Sequence, residues 1–341
     1  MLGPSKAGKT CALAAFEAAC YVDAQDPTCT LGVTSDRDGD NDDPLGRFMV
    51  RWIGRDQPLP NTDHKRDYRV QVTTRVAGGM FRPERVHATW LHCGDGRGED
   101  IFTIGDEASD TQSKEGEARM LADARNATTL VLAVDSTAPA LELIETHLQR
   151  RLDQIAEATS GEEPAHPIGY RLLRRLGLGA TVPPPPWRRR LRAARFLLLL
   201  TKIDVLAEKA WQQLRRNGSR TTPFQIARSI DSIGLAMELL GERPLRRIRR
   251  AMGIDAKLAI GVASATGFHR GGETFLSWSR GKDHDHRLRE WSPYGIREAL
   301  RFITTGACEG PVQLVGGESD LSLASPIPLQ SNSFVSLERA P

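Results

Sequence analysis

Gly3-Pro4-Ser5-Lys6-Ala7-Gly8-Lys9-Thr10 fits the pattern G-x-x-x-x-G-K-[ST] at every fixed position, the signature of a loop that wraps phosphate. Such a loop needs backbone N–H groups that converge on an anion, and glycine lets the chain turn closely enough around it. A helix should open directly behind it, because the positive end of the helix dipole favours the anion. Cys11-Ala-Leu-Ala-Ala-Phe16-Glu-Ala-Ala-Cys20 is rich in helix formers and meets that requirement. The candidate phosphate contacts are Gly3, Ser5, Ala7, Gly8, Lys9, Thr10 and Cys11. Lys9 would reach the β- and γ-phosphates and assist catalysis, and the Thr10 hydroxyl would bind Mg²⁺.

A phosphate loop follows a buried strand at the centre of a parallel sheet, yet only Met1 and Leu2 precede Gly3. Without that strand two neighbouring edges would lie open. The expectation is therefore a native first strand upstream, lost through a late start or a truncation.

Further along, two unbroken apolar runs occur, Leu130-Val-Leu-Ala-Val134 and Phe196-Leu-Leu-Leu-Leu200, with Leu258-Ala-Ile-Gly-Val262 a third strand. Unbroken runs suit strands covered on both faces. Helical stretches separate them, from about 139 to 158 and from the second run to about 251, and a last helix is expected over Tyr294–Thr304. Earlier in the chain, apolar and polar residues alternate over Tyr68–Val76, Val86–Cys93 and Asp100–Ile104, with glycine turns between them. That is the pattern of an antiparallel flank. The predicted fold class is α/β, a mostly parallel sheet with an antiparallel flank behind a phosphate loop. One domain spans 1–305 with a loop-rich insert at 159–195 that holds Pro183-Pro-Pro-Pro186, and 306–341 is expected to be a loosely packed tail.

Two later segments bear on which nucleotide would bind. Thr201-Lys202-Ile203-Asp204 directly follows the second apolar run. A carboxylate there can accept hydrogen bonds from the N1–H and 2-amino groups of guanine, which adenine does not offer. The Lys202 stem can lie across the base. Ser264-Ala265 follows the third strand. Asp106, after Ile101-Phe-Thr-Ile-Gly105, is the expected second Mg²⁺ partner. Asp110 is the candidate to orient a water, with Glu107 as the alternative; a surface acid near the helix expected over Glu115–Asp123 is the reading without chemistry.

The order phosphate loop, D-x-x-(G), T-K-x-D, S-A resembles the translation-factor-related (TRAFAC) class of P-loop GTPases. The wide gap from Lys9 to Asp106, an acid where the catalytic glutamine would stand, and Trp291-Ser-Pro293-Tyr through Ile303 are most similar to the bacterial double-GTPase group. The resemblance covers about residues 1–305. It implies GTP and Mg²⁺ as ligands, slow hydrolysis, and a switching role in a larger bacterial assembly with a protein partner. It also implies that Ser264 and Ala265 turn their backbone N–H groups to the guanine O6. A switch threonine would be drawn from Thr28, Thr30 and Thr34. Ser109 stands where the pattern has glycine. Two competing readings are a non-catalytic scaffold and a P-loop ATPase or kinase.

Composition adds mainly exclusions. The 341 residues carry 46 Lys and Arg against 43 Asp and Glu, a net charge of +3, which selects no partner. Five cysteines without a CxxC pair fit reduced thiols. With no apolar run long enough to span a bilayer and no leader pattern, the expected location is the cytoplasm. The arginine clusters at 188–195 and 243–250 could meet nucleic acid or anionic lipid, but the absence of interleaved aromatics favours solvated faces. Asp36–Asp43 lacks the glycine and terminal glutamate of a calcium loop, and His284-Asp-His286 lacks further ligands nearby.

Overall fold

Leu197, Leu198, Leu199 and Leu200 are all fully buried, which a strand achieves only with both of its faces covered. The computed structural model describes residues 1, 7–23, 31–35, 66–76, 85–95, 127–137, 193–252, 256–279 and 290–316. Strands β4 (Thr129–Asp135), β5 (Arg195–Thr201) and β6 (Lys257–Val262) run parallel, and β7 (Val312–Val315) joins β6 antiparallel. The sheet order is β4-β5-β6-β7. Leu132 lies opposite Leu198, and Leu198 opposite Ile260.

The strands' alternation sorts these side chains into two cores. Leu132, Leu198 and Ile260 pack with buried residues of α2 (Ile203–Arg216), α3 (Pro223–Ser229), α4 (Ser232–Leu240) and α5 (Glu242–Ala251). Val131, Leu197, Leu199 and Ala259 face the other way, toward α1 (Lys9–Asp23) and α7 (Ile296–Thr305). Burial of each such leucine stabilises the fold by about 1.5–3 kcal/mol. The result is a helix–sheet–helix sandwich whose middle layer is mixed, with three parallel strands and one antiparallel strand. A separate antiparallel sheet contains β1 (Leu31–Ser35), β2 (Arg66–Val76) and β3 (Arg85–Asp95) in that order. Val72 of β2 is buried in the cluster that holds Leu13 and Phe16 of α1, so this sheet packs on the first helix.

Several boundaries differ from expectation. The long helical region to 251 is four helices. Gly218 with φ +83° follows α2, and Thr222 forms a reciprocal capping box with Gln225 ahead of Pro223. The Asp231 carboxylate caps α4 by accepting from the N–H groups of Ile233 and Gly234. Gly241, at φ +78°, ends α4 and begins α5. At Thr222 and Asp231 the break brings a side-chain acceptor to helix-end N–H groups that a continuous helix would not have exposed.

The stretch assigned to a loose tail also needs correction. Val312 and Val315 are buried, and 312–315 completes the sheet against β6. Short strands such as this one carry little periodic signal, and a neighbouring strand decides their fate. The same holds for β1, which had no sequence signature. α7 starts at Ile296 rather than Tyr294, because Gly295 is left-handed at φ +71°. The short helix α6 (Phe275–Ser279) follows β6. The run at 100–104, the helix at 139–158, most of the insert at 159–195 and the residues beyond 316 lie outside the described residues, and so does the strand expected ahead of Gly3. Among the described residues no helix is long and apolar enough to cross a membrane.

Candidate functional site

At the carboxyl ends of β4 and β5 the chain is tied to the start of α1 by one hydroxyl. Thr201 Oγ1 donates to the Ala7 carbonyl at 2.7 Å and lies 3.1 Å from the Val134 carbonyl. Gly8 is left-handed at φ +73°, and its carbonyl accepts the first helical bond of α1, from Ala12 N at 2.8 Å. A Cβ on Gly8 would meet Thr201 Oγ1 at an ordinary 3.5 Å, so backbone conformation and not space calls for glycine there.

Lys9 opens the helix and is only 5% exposed. Its charge sits at the positive end of the helix dipole, and no acidic residue lies in the first turn. Both features raise the local potential and favour an anion beside them. Thr10 and Cys11 are half-buried in the same turn, and the Cys11 thiol is free of any disulfide.

Lys202 follows β5 with φ 60° and ψ 32°, the only left-handed non-glycine residue among those described. Its ammonium pairs with the Asp135 carboxylate at the end of β4. Asp135 Oδ1 also accepts from the Thr137 N–H at 2.8 Å and the Thr137 hydroxyl at 2.6 Å. Burial by itself would raise the Asp135 carboxyl, but the Lys202 and Thr137 hydrogen bonds and the Lys202 charge outweigh it and hold the group below its usual range.

A carboxyl lowered in the folded state contributes stability that is present above the unfolded value near ~3.9 and lost as pH falls through the folded value. Asp135→Asn should therefore cost about 1 kcal/mol at neutral pH. The difference from wild type should shrink at about pH 3, as urea midpoints at the two pH values would show. An undiminished difference at the lower pH would contradict the assignment. Ser136, next in the chain, is buried, and its hydroxyl has no partner among the described residues.

On the other side of Lys202, Asp204 lies in the first turn of α2 and is 5% exposed. The Thr266 hydroxyl donates to Asp204 Oδ2 at 2.5 Å. Ser264 Oγ lies 3.1 Å from Thr266 Oγ1 and accepts from the Gly267 N–H at 2.8 Å. The 264–267 loop is held from outside: Ser264 and Tyr294 exchange backbone hydrogen bonds of 2.8 and 3.0 Å, and Trp291 Nε1 donates to the Ala265 carbonyl at 3.0 Å.

The structure thus brings together Ala7, Gly8, Lys9 and Thr201, and separately Asp204, Ser264 and Ala265, with Lys202 between the groups. Because the Ser264 N–H is taken by the Tyr294 carbonyl, it is not available to a ligand, contrary to the expectation for both N–H groups of that pair. Gly3, Ser5, Asp106 and Asp110 lie outside the described residues, as do Thr28, Thr30, Ser109 and His284–His286. Thr34 is within β1, paired with Gln71.

Asp135 and Thr266 escaped the sequence reading. Asp135 at the end of an apolar run was the available signal, whereas Thr266 had none. On α5, Leu245 and Ile248 are buried, Arg246 pairs with Glu242, and Arg249 donates to the Ala256 carbonyl at 3.1 Å. Part of that cluster therefore serves the fold. Among the described residues no group of three or more His, Cys, Asp or Glu side chains could hold a metal. Compared with known proteins, the chain matches no family model, no curated protein and no solved structure.

Proposed function

We propose that this chain is a P-loop GTPase of the TRAFAC class, which binds GTP with Mg²⁺ and hydrolyses it slowly as a conformational switch for a protein partner. One observation carries the proposal. The start of α1, with left-handed Gly8 and buried Lys9, is latched by Thr201 to the carboxyl ends of parallel strands, and the buried Asp204 stands three residues after that latch. Open parallel sheets take ligands at the carboxyl ends of their strands. A cationic helix start suits phosphates, and a buried acceptor-only carboxylate suits paired N–H donors.

The residues fit such a ligand. The orphaned Ser136 hydroxyl is a cost that a polar ligand would offset. Asp204 would accept from the guanine N1–H and 2-amino groups, the Ala265 N–H would donate to O6, and the Lys202 stem would cover the base while its ammonium stays on Asp135. Mg²⁺ is a hard cation that prefers oxygen and retains water. Thr10 and Asp106 would hold it, and it would neutralise phosphate charge. Asp110 would orient the attacking water. A second reading, a nucleotide-binding protein without turnover, is favoured by Ser109 at the glycine position of D-x-x-G.

The test is equilibrium binding of a fluorescent GTP analogue with Mg²⁺, competed by GTP and by ATP. GTP alone should compete. Equal competition by ATP would overturn the guanine assignment, and no binding would favour the scaffold reading. Lys9→Ala should weaken binding roughly tenfold to a hundredfold, since it removes a charge-assisted contact. Unchanged affinity would remove the phosphate-loop assignment. Phosphate release under single-turnover conditions separates a slow hydrolase from a binder.

A further inference from the structure

Position 266 belongs to neither the T-K-x-D nor the S-A pattern, yet its side chain hydrogen-bonds the Asp204 carboxylate. Hydrogen-bond bookkeeping fixes the direction of every bond around it. The Gly267 N–H can only donate, so Ser264 Oγ accepts from it. The Thr266 hydroxyl donates its single proton to Asp204 Oδ2. Thr266 has none left for Ser264, so the bond between the two hydroxyls must run from Ser264 to Thr266. A one-way chain therefore leads from the Gly267 N–H through Ser264 and Thr266 to Asp204 Oδ2.

This chain is buried: Ser264 is fully buried and Thr266 is 6% exposed. Polar groups at such depth depend on their protein partners. Its origin is also closely packed. Gly267 is left-handed at φ +71°, and a Cβ on it would lie 1.9 Å from the Ser292 carbonyl oxygen. Carboxylate torsions are broad and roughly two-fold, so a lone Asp204 could present its oxygens at many angles. A donor on Oδ2 selects one plane. It uses one of about four lone-pair directions and leaves enough for two further N–H donors.

We infer that Thr266 is a positioning residue for base recognition, its hydroxyl holding the Asp204 carboxylate in the plane that reads N1–H and the 2-amino group together; this rests on the guanine-site reading above. A merely structural Thr266 would affect stability and weaken all nucleotides alike. A positioning role affects discrimination, chiefly against hypoxanthine, which keeps N1–H but lacks the 2-amino group.

The experiment measures dissociation constants of GDP, IDP and ADP, each with Mg²⁺, on the full chain and on Thr266→Val, Thr266→Ser and Ser264→Ala. Wild type should prefer GDP to IDP. Thr266→Val should cut that preference roughly tenfold, the scale of a lost hydrogen bond to a charged group. Thr266→Ser should restore it, and Ser264→Ala should reduce it by a smaller factor. A GDP-to-IDP ratio in Thr266→Val within about twofold of wild type overturns the proposal. If that variant does not fold, an unchanged ratio in Ser264→Ala overturns it instead. A wild-type chain that binds GDP no better than ADP overturns the guanine-site reading itself, which is a separate outcome.

Discussion

On the proposed guanine-site reading, Asp204→Asn is expected to move the base preference from guanine to xanthine. Asp204 is buried at the start of α2, where its carboxylate offers acceptors and no donor. Asparagine keeps one acceptor for N1–H but presents an amide donor to the 2-amino group, so two donors oppose each other. Xanthine carries a carbonyl at that position and accepts the new donor. Sites built on buried polar pairing discriminate strongly because the wrong ligand leaves groups unpaired. GTP affinity should fall about 100- to 10,000-fold, with XTP gaining on it by a comparable factor. Competition binding with both nucleotides measures this directly. A variant that still prefers GTP would show that Asp204 does not read the base.

The second large effect concerns stability. Gly295 is left-handed at φ +71°, and a Cβ there would lie 2.0 Å from the Val262 carbonyl oxygen. Its surroundings are poorly placed to yield. Tyr294 is hydrogen-bonded through both backbone groups to Ser264, and its ring packs edge-on against Phe224 and Phe268. The Gly295 carbonyl also accepts the Ala299 N–H at the start of α7. Gly295→Ala should therefore cost about 3–5 kcal/mol, combining backbone strain with a collision that requires a strand end to move.

Gly218→Ala is the matched control. Its φ is +83°, but nothing lies within 4 Å of a Cβ there, so only the ~1–2 kcal/mol backbone term applies. Urea unfolding of the two variants separates conformation from crowding. Equal losses would mean that the contact between the 291–295 loop and β6 is not as tight as described. Because that loop also holds Ser264, the proposed site predicts that the Gly295 variant loses nucleotide affinity along with stability and that the Gly218 variant does not.

The candidate site was legible where a residue type at a fixed spacing has one strong chemical use. Gly8, Lys9, Thr201, Lys202 and Asp204 were singled out this way, and the structure places them around the carboxyl ends of β4 and β5. It was illegible where the partner depends on which strands are adjacent. Asp135 meets Lys202 across 67 positions, and Thr266 meets Asp204 across 62. Neither pair has a local signature. The Ser264 N–H was expected to face a ligand, but the return of the chain at Tyr294 commits it to another carbonyl.

What the sequence determined by itself was the set of strands buried on both faces, the helix behind the glycine-rich loop, and the α/β class, because unbroken apolar runs and helix-forming composition are local properties. The tertiary structure alone decided that 312–315 is a strand and that 203–251 is four helices. It also decided that β1–β3 form their own sheet, and which hydroxyl holds which carboxylate. Those outcomes depend on pairing energies between segments far apart in the chain. A short strand gains its stability from the neighbour it bonds, and a buried polar group from the partner that folding brings to it.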